Sequence, residues 1–243
     1  MIELLTNRFN NQSLNTIVWK VIDAIYPPFC CNCGVIGKEI CTLCFEEIKK
    51  IQEKDICSFC GSIISPNGHC PKDQSHNNIS FDQARSWGQY EGSLKSILKK
   101  IKYGNGFGLV KYLIDPLSEF INNWDITFDL ITIVPLGLKR RESRGYNQAT
   151  VLAKPIAFNL EKEFNSNALT RIRETRSQVG LNIQERKENV REAFHASENI
   201  CSGKSILLFD DVTTTFSTLN ECSKSLIRAG VKEIFCFTVG RAI

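Results

Sequence analysis

The stretch LLFDDVTTTFSTL, residues 207–219, passes from apolar side chains through two adjacent aspartates into a run of hydroxyl residues. With Ile206 ahead of it, the apolar part reads as a buried strand, and STLNECSKSLIRAG (217–230) reads as a helix closed by Gly230. A strand that hands its last residues to a helix N-terminus is half of a β-α-β unit. Its neighbours supply the rest: FDLITIVPLG (128–137) reads as a second buried strand stopped by Pro135, and VKEIFCFTVGRA (231–242) as a last one. LKSILKKIKY (94–103) reads as a helix broken by GNGFG, and GYNQATVLAKPIAFNL (145–160) as another, kinked at Pro155. This alternation predicts an α/β domain over residues 81–243, a parallel sheet with flanking helices joined by right-handed crossovers. Such sheets bind ligands beyond the C-terminal ends of their strands, where Asp210 and Asp211 stand.

That pair, followed by threonines, suits a ribose phosphate. Carboxylates at 210 and 211 accept hydrogen bonds from sugar hydroxyls or hold magnesium through water. Thr213, Thr214, Thr215, Ser217 and Thr218 offer hydroxyls and amides at a helix N-terminus, which favours an anion. Aspartates at a strand end also serve as plain helix caps or turn formers, and the residues alone leave that alternative open.

Ahead of this domain the cysteines crowd together, eight of the eleven falling between Cys30 and Cys70. CNCGVIGKEICTLC (31–44), with Cys30 before it, and CSFCGSIISPNGHCPKD (57–73) are two copies of one pattern: two cysteines separated by two residues, a glycine, a short loop and a second knuckle. That spacing turns both sulfurs of a knuckle toward one ion, and Gly34 and Gly61 suit the tight turn around it. Cys30, Cys33, Cys41 and Cys44 make a four-sulfur set for a structural zinc. The second copy supplies Cys57, Cys60 and Cys70, and spacing puts Asp73 in the fourth place with His69 and His76 close by, so a second zinc is expected to bind more weakly. Reduced cysteines in a small core are the alternative. Residues 29–76 thus read as a double zinc ribbon. Residues 1–28 hold an N-terminal helix with Leu14, Ile17, Val18, Val21, Ile22 and Ile25 on one face.

A chain of 243 residues fits one domain and a small satellite. It has no apolar run near the roughly 18 residues of a membrane span, so no integral membrane segment is expected. The opening MIELLTNRFNNQSL carries Glu3 and Arg8 and lacks the apolar stretch of a signal peptide. The expectation is a cytoplasmic protein, where paired thiols hold metal more often than they form disulfides. A net charge of +4 is too mild to announce a dedicated nucleic-acid-binding domain.

Residues 206–218 resemble the 5-phosphoribosyl-1-pyrophosphate (PRPP) motif of type I phosphoribosyltransferases, with Phe216 where that motif has glycine. Two longer stretches are more specific. VPLGLKRRESRGYNQA (134–149) and LTRIRETRSQVGLNIQERKENVREAF (169–194) are similar to the ComF family, phosphoribosyltransferase-like proteins of bacterial competence. Arg144, Gly145, Asn147 and Gln148 match its Arg-Gly-aromatic-Asn-Gln motif; Arg171, Thr175, Gln178, Leu181, Arg186, Asn189 and Phe194 match its hood segment; Lys102 and Tyr103 match a further motif. The resemblance covers nearly all of the chain after about residue 26. It implies a type I phosphoribosyltransferase-like domain behind a double zinc ribbon, with PRPP or another ribose phosphate and magnesium at the Asp210–Thr218 turn. It also implies a part in handling incoming single-stranded DNA with the competence machinery.

Within that resemblance, Lys139, Arg140, Arg144, Asn147 and Gln148 are candidates for pyrophosphate or nucleic-acid contact, a solvated basic loop being the plainer reading of the charges. Arg171, Thr175, Gln178 and Arg186 are candidates for a hood over the pocket. Two other functions stay open: an active transferase with an unknown acceptor, and a scaffold whose pocket is dead. A glutamine amidophosphoribosyltransferase is not expected, since that chemistry needs a processed N-terminal cysteine and this chain opens Met1-Ile2. If position 216 is left-handed, phenylalanine costs about 1–3 kcal/mol there and weakens the turn, and its ring stands to block the pocket.

Overall fold

The computed structural model describes residues 27–104, 106–173 and 183–242; the expected N-terminal helix and the hood candidates Thr175 and Gln178 lie outside the described residues. The chain divides into two compact units, Met1–Glu47 and Ile48–Ile243, and the two cysteine copies fall on opposite sides of that division.

In the first unit, Gly34 takes a left-handed φ of +78° and its amide donates to the Cys30 carbonyl at 2.9 Å, closing the first knuckle. A short helix, α1 (Thr42–Glu46), closes the second, with the Cys41 sulfur as its N-cap.

The second unit is built on a five-stranded parallel sheet. Its strands are β1 (Gln83–Gln89), β2 (Leu130–Ile133), β3 (Glu163–Phe164), β6 (Ser205–Thr213) and β7 (Glu233–Arg241), in spatial order β1-β7-β6-β2-β3. Strands β2, β6 and β7 are nearly continuous apolar runs because helices cover both faces of a parallel sheet. The covering helices are α2 (Gly92–Tyr103), α3 (Val110–Asn122), α5 (Gln148–Asn159) and α8 (Ser217–Arg228), so the expected parallel architecture is present. Leu219, Cys222 and Leu226 line one face of α8 and pack with Leu208, Ile234 and Cys236. Pro155 sits inside α5 as expected.

The basic stretch after Pro135 is not an open loop but a helix, α4 (Leu138–Arg144), ended by Gly145 at a φ of +75°. The antiparallel pair β4 (Leu169–Arg171) and β5 (Phe194–Ala196) stands apart from the main sheet. Between them lies α6 (Ile183–Val190); α7 (Glu198–Cys201) leads into β6.

Strand β1 would be an open edge beside β7. Residues 49–51 cover it instead, through an antiparallel bridge from Lys50 to Gly88 and an Ile51 amide donated to the Trp87 carbonyl at 3.0 Å. The second cysteine copy is therefore built onto the sheet. Gly61, at a φ of +62°, lies so close to the backbone of Ala84 that any Cβ would collide with its carbonyl oxygen.

Candidate functional site

Strand β6 runs past β2, carrying Asp210 and Asp211 to the sheet's C-terminal edge before α8 begins at Ser217. Asp211 is buried at 4% exposure. Its Oδ1 accepts from the Val212 amide at 2.9 Å and its Oδ2 from the ammonium of Lys102 at 3.0 Å, while Asp210 Oδ1 accepts from the Asp211 amide at 2.9 Å. Desolvation, then the neighbouring Asp211, holds the Asp210 carboxyl well above the usual carboxylate range. Burial alone would lower the Lys102 pKa, but Asp211 outweighs it and the net shift is upward. Lys102 is thus a cation supplied by α2 to the acidic pair. KIKYGNG was the only sequence signal for it, and it assigned no role.

Phe216 occupies the left-handed region, with φ 62° and ψ 6°, as the N-cap of α8. The turn is therefore left-handed at the position where the motif has glycine, at a cost of about 1–3 kcal/mol for a residue with a side chain. The expectation that its ring blocks the site is corrected: the ring is 4% exposed and points into the core, its centroid 5.9 Å from that of Phe81. Lys72 Nζ lies 5.3 Å and the Arg241 guanidinium 4.8 Å from the same ring. The Phe216 amide donates to Thr213 Oγ1 at 3.2 Å, and Thr215 Oγ1 and Ser217 Oγ are 2.8 Å apart. Thr214 is exposed at the tip, and Thr218 lies in the first turn of α8.

The Arg-Gly-Tyr-Asn-Gln motif is largely occupied in holding the fold. Asn147 caps α5 by accepting from the Ala149 amide at 3.0 Å and donates to the Val134 carbonyl at 3.0 Å. The Tyr146 hydroxyl donates to the Ile101 carbonyl. Arg144 stacks 4.8 Å from the Tyr103 ring and donates to Gln148, itself 4% exposed, at 3.1 Å. The end of α2 thus ties this motif to the acidic pair, Tyr103 facing Arg144 and Lys102 facing Asp211. Lys139 and Arg140 lie on α4 and Arg186 on α6, their side chains outside the described residues. Arg171 ends β4 with its guanidinium 5.4 Å from the Phe194 ring. A cleft of about 510 Å³ opens beside it, lined by Leu136, Arg141, Tyr146, Thr150, Asn167 and Arg171.

Two side-chain clusters have the composition of metal centres. In the first unit the sulfurs of Cys30, Cys33, Cys41 and Cys44 all lie within 4.8 Å of one another. A tetrahedron with metal–sulfur bonds of about 2.3 Å has edges near 3.8 Å. Cys33 and Cys41 sulfurs are 3.7 Å apart, and those of Cys60 and Cys70 in the other cluster 3.5 Å, so both donor sets fit zinc. Burial pushes the Cys30 thiol up, but amide donors from Cys33, Cys41 and Asn32 outweigh it and bring the pKa to about 6.

In the second cluster the fourth donor is the His76 imidazole, not the Asp73 carboxylate. His76 Nε2 faces the sulfurs of Cys70 at 3.3 Å and Cys57 at 3.8 Å, and Asp73 Oδ1 lies 3.5 Å from Nδ1 on the far side of the ring. Asp73 thus stands behind the ring of the candidate donor rather than in the donor set. The difference arises from the 3₁₀ turn over Asp73–Asn78, which the repeat spacing did not reveal. Burial raises the Cys60 thiol, but Ser62, His76 and Cys70 outweigh it and bring it to about 7.

No family model matches the chain. Over 222 residues, 87% of this chain and 94% of the relative, it is 31% identical to the competence protein F of Haemophilus influenzae. It is 25% identical over 231 residues, 87% of this chain and 99% of the relative, to the competence protein ComFC of Streptococcus pneumoniae. Over 115 residues, 47% of this chain and 50% of the relative, it is 34% identical to the DNA utilization protein YhgH of Escherichia coli. Among solved structures, an adenine phosphoribosyltransferase from Thermoanaerobacter pseudethanolicus superposes at a TM-score of 0.35 with 16% identity, over 60% of this chain and 74% of that one. An allosteric regulatory enzyme of purine biosynthesis superposes at 0.40 with 16% identity, over 58% of this chain and 29% of that one.

Proposed function

Because the chain belongs to the competence protein F (ComF) family, we propose that it is a competence protein whose phosphoribosyltransferase-like domain binds PRPP or a related ribose phosphate at the Asp210–Thr218 turn. The observation that carries this reading is the conformation at Phe216. The backbone is left-handed and the ring is folded into the core, so the one departure from the motif leaves the approach to the turn clear of that side chain.

In the proposed complex, Asp210 and Asp211 accept from the ribose hydroxyls, and the hydroxyls of Thr213, Thr214, Thr215, Ser217 and Thr218, with the amides at the start of α8, take the 5-phosphate. Magnesium, whose preference is for hard oxygen donors such as this carboxylate pair, would neutralise the pyrophosphate. Lys102 shares or releases Asp211 Oδ2 as the sugar arrives. Lys139, Arg140 and Arg144 of α4 are the proposed contacts for a pyrophosphate or a nucleic-acid strand. A part in handling single-stranded DNA rests on the relatives called competence and DNA utilization proteins. The clusters serve as structural zinc sites, one ion each. Among the described residues no helix is long and apolar enough to cross a membrane.

Titration calorimetry with PRPP and magnesium on the zinc-loaded protein tests the proposal. Saturable heat that disappears in Asp211→Asn is expected. Silence from the wild type overturns ligand binding and leaves the scaffold reading.

A further inference from the structure

The second cysteine cluster and the phosphate turn are far apart in sequence and share a wall. On the cluster side, the Lys72 amide donates to Cys70 Sγ at 3.3 Å, and the same residue's ammonium donates to the Thr215 carbonyl at 3.1 Å. A single lysine thus bonds a cluster sulfur's surroundings at one end and the turn at the other. A second route runs through rings. The His76 ring meets Phe59 edge-on at 5.0 Å, Phe59 stacks on Phe81 at 6.3 Å, and Phe81 meets Phe216 at 5.9 Å. Arg241 makes a third connection, donating to the Gly61 carbonyl and, at 3.2 Å, to Ser62 Oγ behind the second-cluster knuckle, with its guanidinium over the Phe216 ring.

Phe216 is a residue with a side chain held at a φ of +62°, a conformation that persists only where the surroundings over-determine it. Lys72 of the cysteine copy lies directly against it, and Phe81 and Arg241, which also pack on the ring, are themselves held by Phe59, Gly61 and Ser62 of that copy. That segment is too short to bury a core of its own, so an ion on its four donors would add to the contacts with β1 and β7 that fix its shape. An ion held by three thiolates and a neutral imidazole also leaves a net negative charge, which Lys72 and Arg241 balance from the side facing the turn.

We propose that Lys72 and Phe216 are positioning residues that make the second cluster and the turn over 213–217 one cooperative unit, so that an ion on Cys57, Cys60, Cys70 and His76 and an anionic ligand at the turn strengthen each other's binding. The coupling between ion and turn conformation stands on the geometry alone; its consequence for ligand affinity rests on the reading of the turn as a ribose-phosphate site. By linkage, the factor by which the ion raises ligand affinity equals the factor by which the ligand raises ion affinity.

The test is amide hydrogen exchange on the full chain, read by mass spectrometry over residues 213–220. The wild type is compared loaded, stripped by a chelator, and carrying His76→Gln or Cys70→Ser, with metal content measured in each. Loss of the second ion is expected to speed exchange across the turn by at least about tenfold while the amides of β2 keep their protection. Unchanged exchange with the ion verifiably gone overturns the proposal, as does exchange that rises equally in β2, which marks general unfolding. Phe216→Gly keeps the backbone accessible and removes the ring, and Lys72→Met keeps the stem over the ring and removes the hydrogen bond to Thr215. Each is expected to leave turn exchange less sensitive to the ion and to speed ion release to a colorimetric chelator; full sensitivity in both variants overturns the route. PRPP added to the wild type is expected to slow ion release. If PRPP binds by calorimetry without slowing it, the ligand arm of the coupling is wrong. If PRPP does not bind at all, the reading of the site fails, and the exchange comparison still decides the coupling.

Discussion

Replacing Phe216 by glycine restores the residue that the PRPP motif carries, and the structure predicts that it destabilises the protein. The ring is 4% exposed and packs against Phe81, Lys72 and Arg241. Truncating a phenylalanine so buried costs about 3–5 kcal/mol, and the extra backbone freedom of glycine in the unfolded chain adds about 1 kcal/mol. Against this, relief of the left-handed strain returns about 1–3 kcal/mol. The packing loss wins by about 1–5 kcal/mol, a fall in Tm of roughly 2–20 °C for a domain of this size. Phe216→Ala separates the two effects, since it loses the ring but keeps a Cβ at φ +62° and should be less stable than the glycine variant by about 1 kcal/mol. Urea and thermal unfolding of the metal-loaded proteins supply the measurement. A glycine variant as stable as the wild type would refute the reasoning, because strain rather than packing would then dominate at this position.

Asp210→Asn should stabilise the protein at neutral pH while abolishing ribose-phosphate binding. A carboxyl whose folded pKa is raised above its ordinary 3.8 binds protons more readily folded than unfolded, so its contribution is most favourable in acid and is lost as pH rises toward the folded value. Asparagine keeps the oxygen that accepts the Asp211 amide, and a urea midpoint at pH 7 no higher than the wild type's would contradict this. Lys102→Met leaves the buried Asp211 carboxylate without its cation; because the lysine side chain is 22% exposed, the cost at pH 7 should be about 2–3 kcal/mol, below that of a fully buried pair. The Lys102 pKa is raised above 10.5, so that stabilisation is present below the ordinary value and fades as pH climbs through the folded one, and the wild-type and variant unfolding curves should converge there. Elemental analysis of His76→Gln should find one zinc per chain in place of two. Asp73→Asn should retain both and bind the second about tenfold more weakly, the lower end for a metal-orienting carboxylate because this one is 81% exposed.

The strand–turn–helix at 205–228 was legible because one apolar run, two carboxylates and one amphipathic helix carry it, each a local pattern. Strand β1 was not. Its sequence, QARSWGQ, places Arg85 and Ser86 at buried positions, where they are satisfied by the Ser58 carbonyl at 2.7 Å and Thr238 Oγ1 at 2.7 Å, partners that no local pattern announces. Counting along the repeat puts Asp73 rather than the nearby His76 in the fourth place, because it assumes that the second copy closes like the first, and the 3₁₀ turn over Asp73–Asn78 breaks that symmetry. The direction of the Phe216 ring depends on Phe81, Lys72 and Arg241, each more than a hundred residues or a full strand away along the chain. The Asn147 side chain caps α5 and bonds the Val134 carbonyl, a structural use that the Arg-Gly-aromatic-Asn-Gln pattern does not announce in sequence.

The hydrogen bonds from Arg241 to Gly61 and Ser62 join residues 180 and 179 positions apart, and β1 pairs along β7, the last strand of the sheet in chain order. Closing so long a loop is a late event in folding, and topologies dominated by such pairings fold slowly. On the ribosome the thiols at 57, 60 and 70 therefore emerge well before the strand that will wall them in. In that interval they are open to oxidation and to capture of the wrong metal, whereas in the finished protein Cys60 is buried and Cys57 and Cys70 are half-buried. The donors of the second cluster are thus made before the sheet and reach their final surroundings only after it, so their exposure is set by the order of synthesis as well as by the finished fold.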